Sequence, residues 1–504
     1  MNPRTASVWR VMALAALLGA LCTLGFAPFA VSPAPTFSLA GLFLLWQRAA
    51  SPRQAALLGL AWGLGCFLTG VSWVYVSLSE FGGMAMPLAV LATFLFCLLL
   101  ALFPALAGGL FARWRSSTVR DVWLFAGLWM LSEWLRGTVL TGFPWLAVGY
   151  SQSPPSPLAG WGAVLGVYGV GFSVALIGGL IASLFTKGWK KALSRHGIKP
   201  WLAIILLLGG GALLRQMDWT QPVGAPLKVA LLQGNVPQSL KWDPQNLALS
   251  IDTYLRLVRE HPADLVVMPE TAIPLFFNEV PLDVLHGLTR HGAALFGIAI
   301  RTTGGGYANG AVLLEPAFST AGKPGAYTKR HLVPFGEYAP PGFAWFFQLV
   351  NIPMSDFTAG RSHQPPLTLG AQKIAPNICY EDLFGEELLT ALPKATLLVN
   401  LSNTAWFGDS LAQPQHLQIA QMRAIETGRT MLRATNTGMT AMIAPNGIVA
   451  AALPPFTTAA LTVAAQGYSG LTPYARWGNT LILLLAALAC LPALRRRAKL
   501  LPAG

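Results

Sequence analysis

The chain has 504 residues, 54% of them hydrophobic and only 11% charged, and a formal net charge of +14. Soluble proteins carry about a quarter of their residues charged, so an ordinary soluble enzyme is excluded. Residues 1–214 and 477–504 hold 17 Lys and Arg against 3 Asp and Glu, whereas 215–476 hold 17 of each; with no basic excess on the polar segment, a nucleic-acid groove is excluded too.

Charge-free runs occupy 11–47, 54–79, 81–112, 137–186, 200–214 and 477–494, with a further apolar run at 122–132 ending in Glu133 and Arg136. Crossing a hydrocarbon core takes about 20 apolar residues. The first run, broken at GFAPFAVSPAP, is long enough for two short passes. In the fourth, SQSPPSP marks an outer loop ahead of a span near 161–184. Lys and Arg gather between these runs: Arg4 and Arg10, Arg48 and Arg53, Arg113 to Arg120, Lys187 to Lys199, and Arg495 to Lys499. If every cluster is cytoplasmic, even numbers of passes separate them, and only Arg136 strays. Eight passes are expected, seven before residue 215 and one after 476, with both termini cytoplasmic. The first helix reads as retained, since no small-residue cleavage site follows it. Glu133 and Arg136 read as an ion pair at the outer interface, with phospholipid headgroup binding as the sharper alternative. Because seven passes precede it, the neutral segment 215–476 is expected outside the cytoplasm.

Within that segment LKVALLQGN, ADLVVMPE, AALFGIAIR, YANGAVLLE, KIAPNICYE and ATLLVNLSN predict strands, mostly near-continuously apolar and so buried on both faces. Helices are predicted over 244–260, 279–291, 383–391 and 414–429. The alternation predicts an α/β layered domain.

Of five cysteines, Cys22, Cys66, Cys97 and Cys490 fall in predicted spans, and only Cys379 lies in the outer domain. An oxidising compartment usually pairs its cysteines, so a solitary one there calls for an explanation. A buried inert thiol is the plain reading. Its context favours another: Cys379 ends a strand and precedes acidic residues and Gly385 at a helix start, a strand-turn-helix arrangement that presents a nucleophile. No histidine is adjacent in sequence to serve as its base. Glu270 follows an apolar strand in VVMPETAIP and is a candidate general base. In AYTKRHLVPFGEY, Lys329 supplies a cation that Glu337 can orient through a return turn at 334–336. Each alone reads as an ordinary loop residue; together they are far more specific.

These residues resemble the nitrilase superfamily, whose catalytic Glu, Lys and Cys occur in this order. With eight predicted passes around the domain, the chain is similar to the apolipoprotein N-acyltransferase family of Gram-negative bacteria, through QGNVPQSLKWDP, PETAIP, YTKRHLVPFGEY, ICYE, AWFG and GLTPYARWGN in order. The resemblance implies a polytopic α-helical membrane domain over 1–214, a periplasmic nitrilase-like αββα sandwich over 215–476, and a last helix with a basic cytoplasmic tail over 477–504. It implies Glu270 as general base, Lys329 as oxyanion stabiliser and Cys379 as nucleophile, Glu337 and Glu381 as supporting carboxylates, and Trp242 and Tyr380 as residues shaping the substrate site. The sequence departs from the family at Asp382, where an apolar residue is expected, at Thr404, where Asp is common, and in an FAPF segment without a nearby Trp.

The implied reaction moves a fatty acyl group from the sn-1 position of a phospholipid to the α-amine of an apolipoprotein's diacylglyceryl-cysteine, through a Cys379 thioester. An ester-to-amide transfer runs downhill without ATP, in keeping with the absence of a GxxxxGK[ST] motif. The implied setting is the inner membrane, as a monomer, with no cofactor, no metal and no nucleic-acid partner. PGFAWFFQLV (341–350) is expected to form an arm dipping into the outer leaflet. One alternative is a membrane-anchored amidase hydrolysing a small C–N substrate; another is a transporter or lipid scaffold with an inactive domain, which would need none of the three residues.

Overall fold

The computed structural model describes residues 3–116, 120–186, 195–237, 244–316, 324–340, 342 and 356–498. Trp242, Phe343, Trp345 and Phe346 therefore lie outside the described residues, as does all of the 341–350 stretch except Gly342. The chain forms two compact units, one of Met1–Ser72, Val90–Met217 and Arg476–Gly504, the other of Trp73–Ala89 and Asp218–Ala475.

The first unit is helical, with helices at Pro3–Thr23, Ala34–Arg48, Pro52–Gly70, Met86–Trp114, Arg120–Arg136, Gly162–Thr186, Arg195–Leu214 and Thr480–Ala498. Among the described residues, Met86–Trp114 and Pro157–Thr186 are long and apolar enough to cross a membrane, and Pro52–Gly70 with Val74–Phe81 passes the same test as a pair bent by 60°. The apolar run 54–79 is thus not one straight helix: it breaks after Gly70, and Trp73 onward joins the second unit. Helices Pro3–Thr23 and Pro52–Gly70 approach through small residues, as apolar helices do where backbones must come close. A Cβ on Gly19 would sit 1.9 Å from the Trp62 carbonyl oxygen, and one on Gly65 1.9 Å from that of Ala16.

Glu133 and Arg136 are not the interfacial ion pair expected of them. Both are buried, and each holds backbone. Glu133 accepts the Val148 amide at 2.8 Å, and Arg136 donates to the carbonyls of Phe143 and Trp145 at 2.5 and 2.6 Å. Two charged side chains one helical turn apart thereby pin the loop at 143–148, whose polar groups would otherwise be unsatisfied.

The second unit contains twelve described strands: β1 Gln221–Gln233, β2 Leu265–Val267, β3 Ala293–Arg301, β4 Tyr307–Leu314, β5 Gly325–Thr328, β6 Leu367–Leu369, β7 Gln372–Ile378, β8 Leu397–Ser402, β9 Thr430–Thr435, β10 Ala441–Ile443, β11 Val449–Ala452 and β12 Ala459–Ser469. They make two six-stranded sheets, in the orders β12-β1-β2-β3-β4-β5 and β11-β10-β9-β8-β7-β6. The near-continuous apolar runs follow from this layering, since successive strand residues face opposite sides. Val229, Leu231, Leu265, Val267 and Leu295 meet Ile378, Val399, Leu401 and Leu432 between the sheets. Their neighbours Ala230, Leu232, Val266 and Phe296 pack outward on Tyr254, Leu257 and Val258 of helix Pro244–Glu260 and on Leu285 and Leu288 of helix Leu282–Leu288. Behind the second sheet, Leu398 and Met431 pack on Leu417, Ala420 and Ala424 of helix Ala412–Thr427. The domain is a helix-sheet-sheet-helix sandwich.

Candidate active site

Three loops meet at the carboxyl ends of parallel strands, where open α/β sheets place their ligands. β1, β2 and β3 are parallel, as are β7, β8 and β9. Glu270 follows β2, Cys379 follows β7, and Asn403 follows β8. β4 returns antiparallel to β3 with Asn309 opposite Ala299, and the Lys329 amide, just past β5, donates to the Asn309 carbonyl at 2.7 Å. The topology thus delivers residues distant in sequence to one end of the sandwich. Gly297 makes room: a Cβ there would lie 2.5 Å from the Glu270 Cα.

The polar geometry centres on a buried ammonium. Lys329 is 1% exposed. Its Nζ lies 3.4 Å from Glu270 Oε1, 2.9 Å from Glu337 Oε1 and 2.8 Å from Glu337 Oε2. Asn309 Nδ2 joins the two carboxylates, donating to Glu270 Oε1 at 2.7 Å and Glu337 Oε1 at 2.8 Å. The Asn403 amide donates to Glu270 Oε2 at 3.0 Å, and the Val333 amide to Glu337 Oε2 at 2.8 Å. Burial pulls the Lys329 pKa down, but Glu337, Glu270 and Cys379 outweigh it and hold the pKa above its ordinary value. The side chain is a permanent cation at neutral pH.

Cys379 sits at the turn with a φ of +51°, in the left-handed region, and remains partly exposed. Desolvation and the Glu270 charge push its thiol well above the ordinary value, against the downward pull of Lys329. It therefore rests as a thiol, and nucleophilic use requires a base that takes the proton during attack. Asn400 Nδ2 donates to the Cys379 carbonyl at 3.2 Å.

Glu381 closes the turn on itself. Its Oε2 accepts the Ile378 amide at 2.6 Å, while Oε1 accepts the Tyr327 hydroxyl at 2.8 Å, the Arg330 amide at 2.7 Å and the His331 amide at 3.2 Å. It thus ties the Cys379 turn to the segment that carries Lys329. Burial, only partly offset by these hydrogen bonds, pushes its carboxyl from 4.5 up to about 6. An amide cannot accept at both ends, so Glu381→Gln should lower stability by about 1–3 kcal/mol, read as a drop in Tm. Between 4.5 and about 6 the folded carboxyl holds its proton while the unfolded one has lost it, so this group's contribution falls as pH rises through that window. The Gln variant should lack that decline.

The Glu270 side of the site is backed by a segment from the other end of the sequence. Trp73 packs edge-on against Phe407 at 4.6 Å and its Nε1 donates to Gln415; Ser77 Oγ donates to the Trp406 carbonyl at 2.7 Å; Phe81 meets Trp406 at 6.1 Å. These contacts fix the turn Thr404–Phe407 that follows Asn403.

Of the residues singled out from sequence, Glu270, Lys329, Glu337, Cys379, Tyr380 and Glu381 are brought to this end of the sandwich. Asn309, Asn400, Asn403 and Tyr327 were not anticipated. For Asn309 and Asn400 the available signal was a polar side chain inside an otherwise apolar strand, as in YANGAVLLE and LLVNLSN.

The Apolipoprotein N-acyltransferase N-terminal domain family matches residues 18–180, and the Carbon-nitrogen hydrolase family matches 228–474. Apolipoprotein N-acyltransferase of Nitrosomonas europaea is 48% identical over 94% of this chain and 95% of its own length. The chain belongs to the apolipoprotein N-acyltransferase family. Other members are the proteins of Chromobacterium violaceum, 45% identical over 98% of this chain and 97% of its own, and of Ralstonia nicotianae, 44% identical over 96% and 93%. Among solved structures, an amidase from Nesterenkonia sp. aligns at 21% identity with a TM-score of 0.35, covering 51% of this chain and 95% of that one. In this member of the apolipoprotein N-acyltransferase family, the acid-lysine-thiol cluster lies entirely within the carbon-nitrogen hydrolase part.

Proposed function

We propose that this chain transfers a fatty acyl group from the sn-1 position of a phospholipid to the α-amino group of an apolipoprotein's S-diacylglyceryl-cysteine, through a thioester on Cys379. The reading rests on one observation above others: a buried ammonium held by two carboxylates at the end of the sandwich that also carries the Cys379 thiol.

Glu270 accepts the Cys379 proton as sulfur attacks the ester carbonyl. The proton moves within the cluster and the negative charge passes from the Glu270 carboxylate to the oxyanion, so the net charge of the site is unchanged throughout the attack. That charge develops against Lys329, with the Tyr380 amide as a second donor; one such donor contributes about 2.7–4 kcal/mol. Collapse expels the lysophospholipid alkoxide, which takes the proton from Glu270. In the second half-reaction Glu270 accepts a proton from the incoming amine, the amine displaces sulfur, and the thiol is restored. Ping-pong kinetics follow.

Charge placement along the sequence supports eight passes with both termini cytoplasmic, 1–214 and 477–504 as the membrane portion and residues 215–476 outside the cytoplasm; the inner membrane, the periplasm and a monomeric working unit are what the family resemblance implies.

The test supplies phospholipid alone. The full-length enzyme should release about one equivalent of lysophospholipid in a burst and gain an acyl-sized mass on the Cys379 peptide, and Cys379→Ala should do neither. Steady hydrolysis with no adduct, in the absence of any amine, would overturn the reading in favour of an amidase-like hydrolase.

A further inference from the structure

A second charged cluster lies beneath the nucleophile and takes no part in the chemistry above. Asp382, three residues after Cys379, is fully buried, and its two oxygens are held from different elements. His416 Nε2, on helix Ala412–Thr427, lies 2.7 Å from Oδ1, and Arg433 NH1, on β9, donates to Oδ2 at 2.8 Å. His416 and Arg433 are each 1% exposed, and the His416 ring faces the Cys379 backbone. Burying such charges costs several kcal/mol per ion, and apolar residues of similar volume usually serve stability as well or better. Stability is therefore a poor reason for the cluster. The strained backbone of Cys379 supplies a better one: a non-glycine residue at φ +51° is in a disfavoured conformation, and neighbouring contacts must hold it there.

We propose that Asp382, His416 and Arg433 are positioning residues that clamp the turn Cys379–Leu383 to helix Ala412–Thr427 and β9, aiming the Cys379 sulfur and the Tyr380 amide at the same carbonyl. The inference rests on the acyl-transfer reading. The clamp acts on both groups at once because they are consecutive in the turn, and misplacing reacting atoms by about 1 Å costs on the order of 100-fold. None of the three touches the lipid, so the effect falls on kcat and not on KM.

The test uses the full-length enzyme with Asp382→Leu/Arg433→Leu, which removes both charges together, and Arg433→Lys, which keeps the charge but loses the fork. Each should keep a KM for phospholipid within about twofold of wild type. Each should lose 10- to 100-fold in kcat for lysophospholipid release, at the order of magnitude of such misplacement. Wild-type kcat in a folded double variant overturns the proposal, and where that variant does not fold, wild-type kcat in Arg433→Lys does so. Alkylation of Cys379 by iodoacetamide, resolved by peptide mass, requires no phospholipid. Slower alkylation in the variants supports the clamp even if wild type forms no acyl adduct; an unchanged rate, with kcat also unchanged, overturns it.

Discussion

Replacing Lys329 with Met is expected to reduce lysophospholipid release by about 100- to 1,000-fold, the cost of an oxyanion donor, and to lower Tm. Two losses combine. The oxyanion loses its cation, and Glu270 and Glu337, both bound to Asn309 Nδ2, are left as neighbouring carboxylates with no positive charge between them. Two carboxylates left facing each other without a cation repel one another, and the base is compromised as well. Removing one partner of a buried ionic group costs about 3–5 kcal/mol, which a thermal melt will register. Arg is not a conservative replacement, because it exchanges a compact ammonium held by Glu270 and Glu337 for a planar fork. A Met variant retaining a tenth of the wild-type rate would remove Lys329 from the reaction.

Glu270→Gln is expected to slow acylation by about 100- to 10,000-fold, the usual contribution of a positioned base. Both carboxylate oxygens accept N–H groups, from Asn309 and Lys329 on one side and Asn403 on the other. Either orientation of the amide therefore sets its NH2 against a donor. The pH dependence carries the sign. The Glu270 charge raises the Cys379 pKa, so its removal makes the thiol easier to ionise. With no base in reach, the residual activity of the variant should climb with pH as free thiolate accumulates, beyond the point where the wild-type rate levels off. Wild-type rates at neutral pH in the Gln variant would rule out Glu270 as the base.

The layered fold was legible because its signals are local. AALFGIAIR and YANGAVLLE are apolar at nearly every successive position, as strands between two covered faces must be, and 244–260 carries helical periodicity ending on Arg259 and Glu260. The strands not anticipated have local reasons. β9 contains Arg433, whose partner Asp382 is 51 residues away, so TMLRAT reads as polar until the two are brought together. β12 has one half-exposed face and little apolar contrast. Glu270, Lys329, Glu337 and Cys379 were visible as candidates because nucleophile, cation and acid are scarce residue types in an apolar chain. Asn309 and Asn403 were not: one acts by a side-chain amide common in turns, the other by a backbone N–H that any residue except proline supplies. Asp382 was noticed only as a departure from an apolar expectation; its meaning resides in two distant side chains.

The junction at Gly70 has a practical meaning for whoever sets out to crystallise or engineer the two-sheet unit alone. Expression of 215–476, the cut that charge balance recommends, discards Trp73, Ser77 and Phe81 and strips the cover from Trp406 and Phe407. The excised fragment would carry a raw aromatic patch next to the turn that seats Asn403. A faithful soluble version must graft residues 73–89 back on, because the boundary of the globule and the boundary in the gene are different lines.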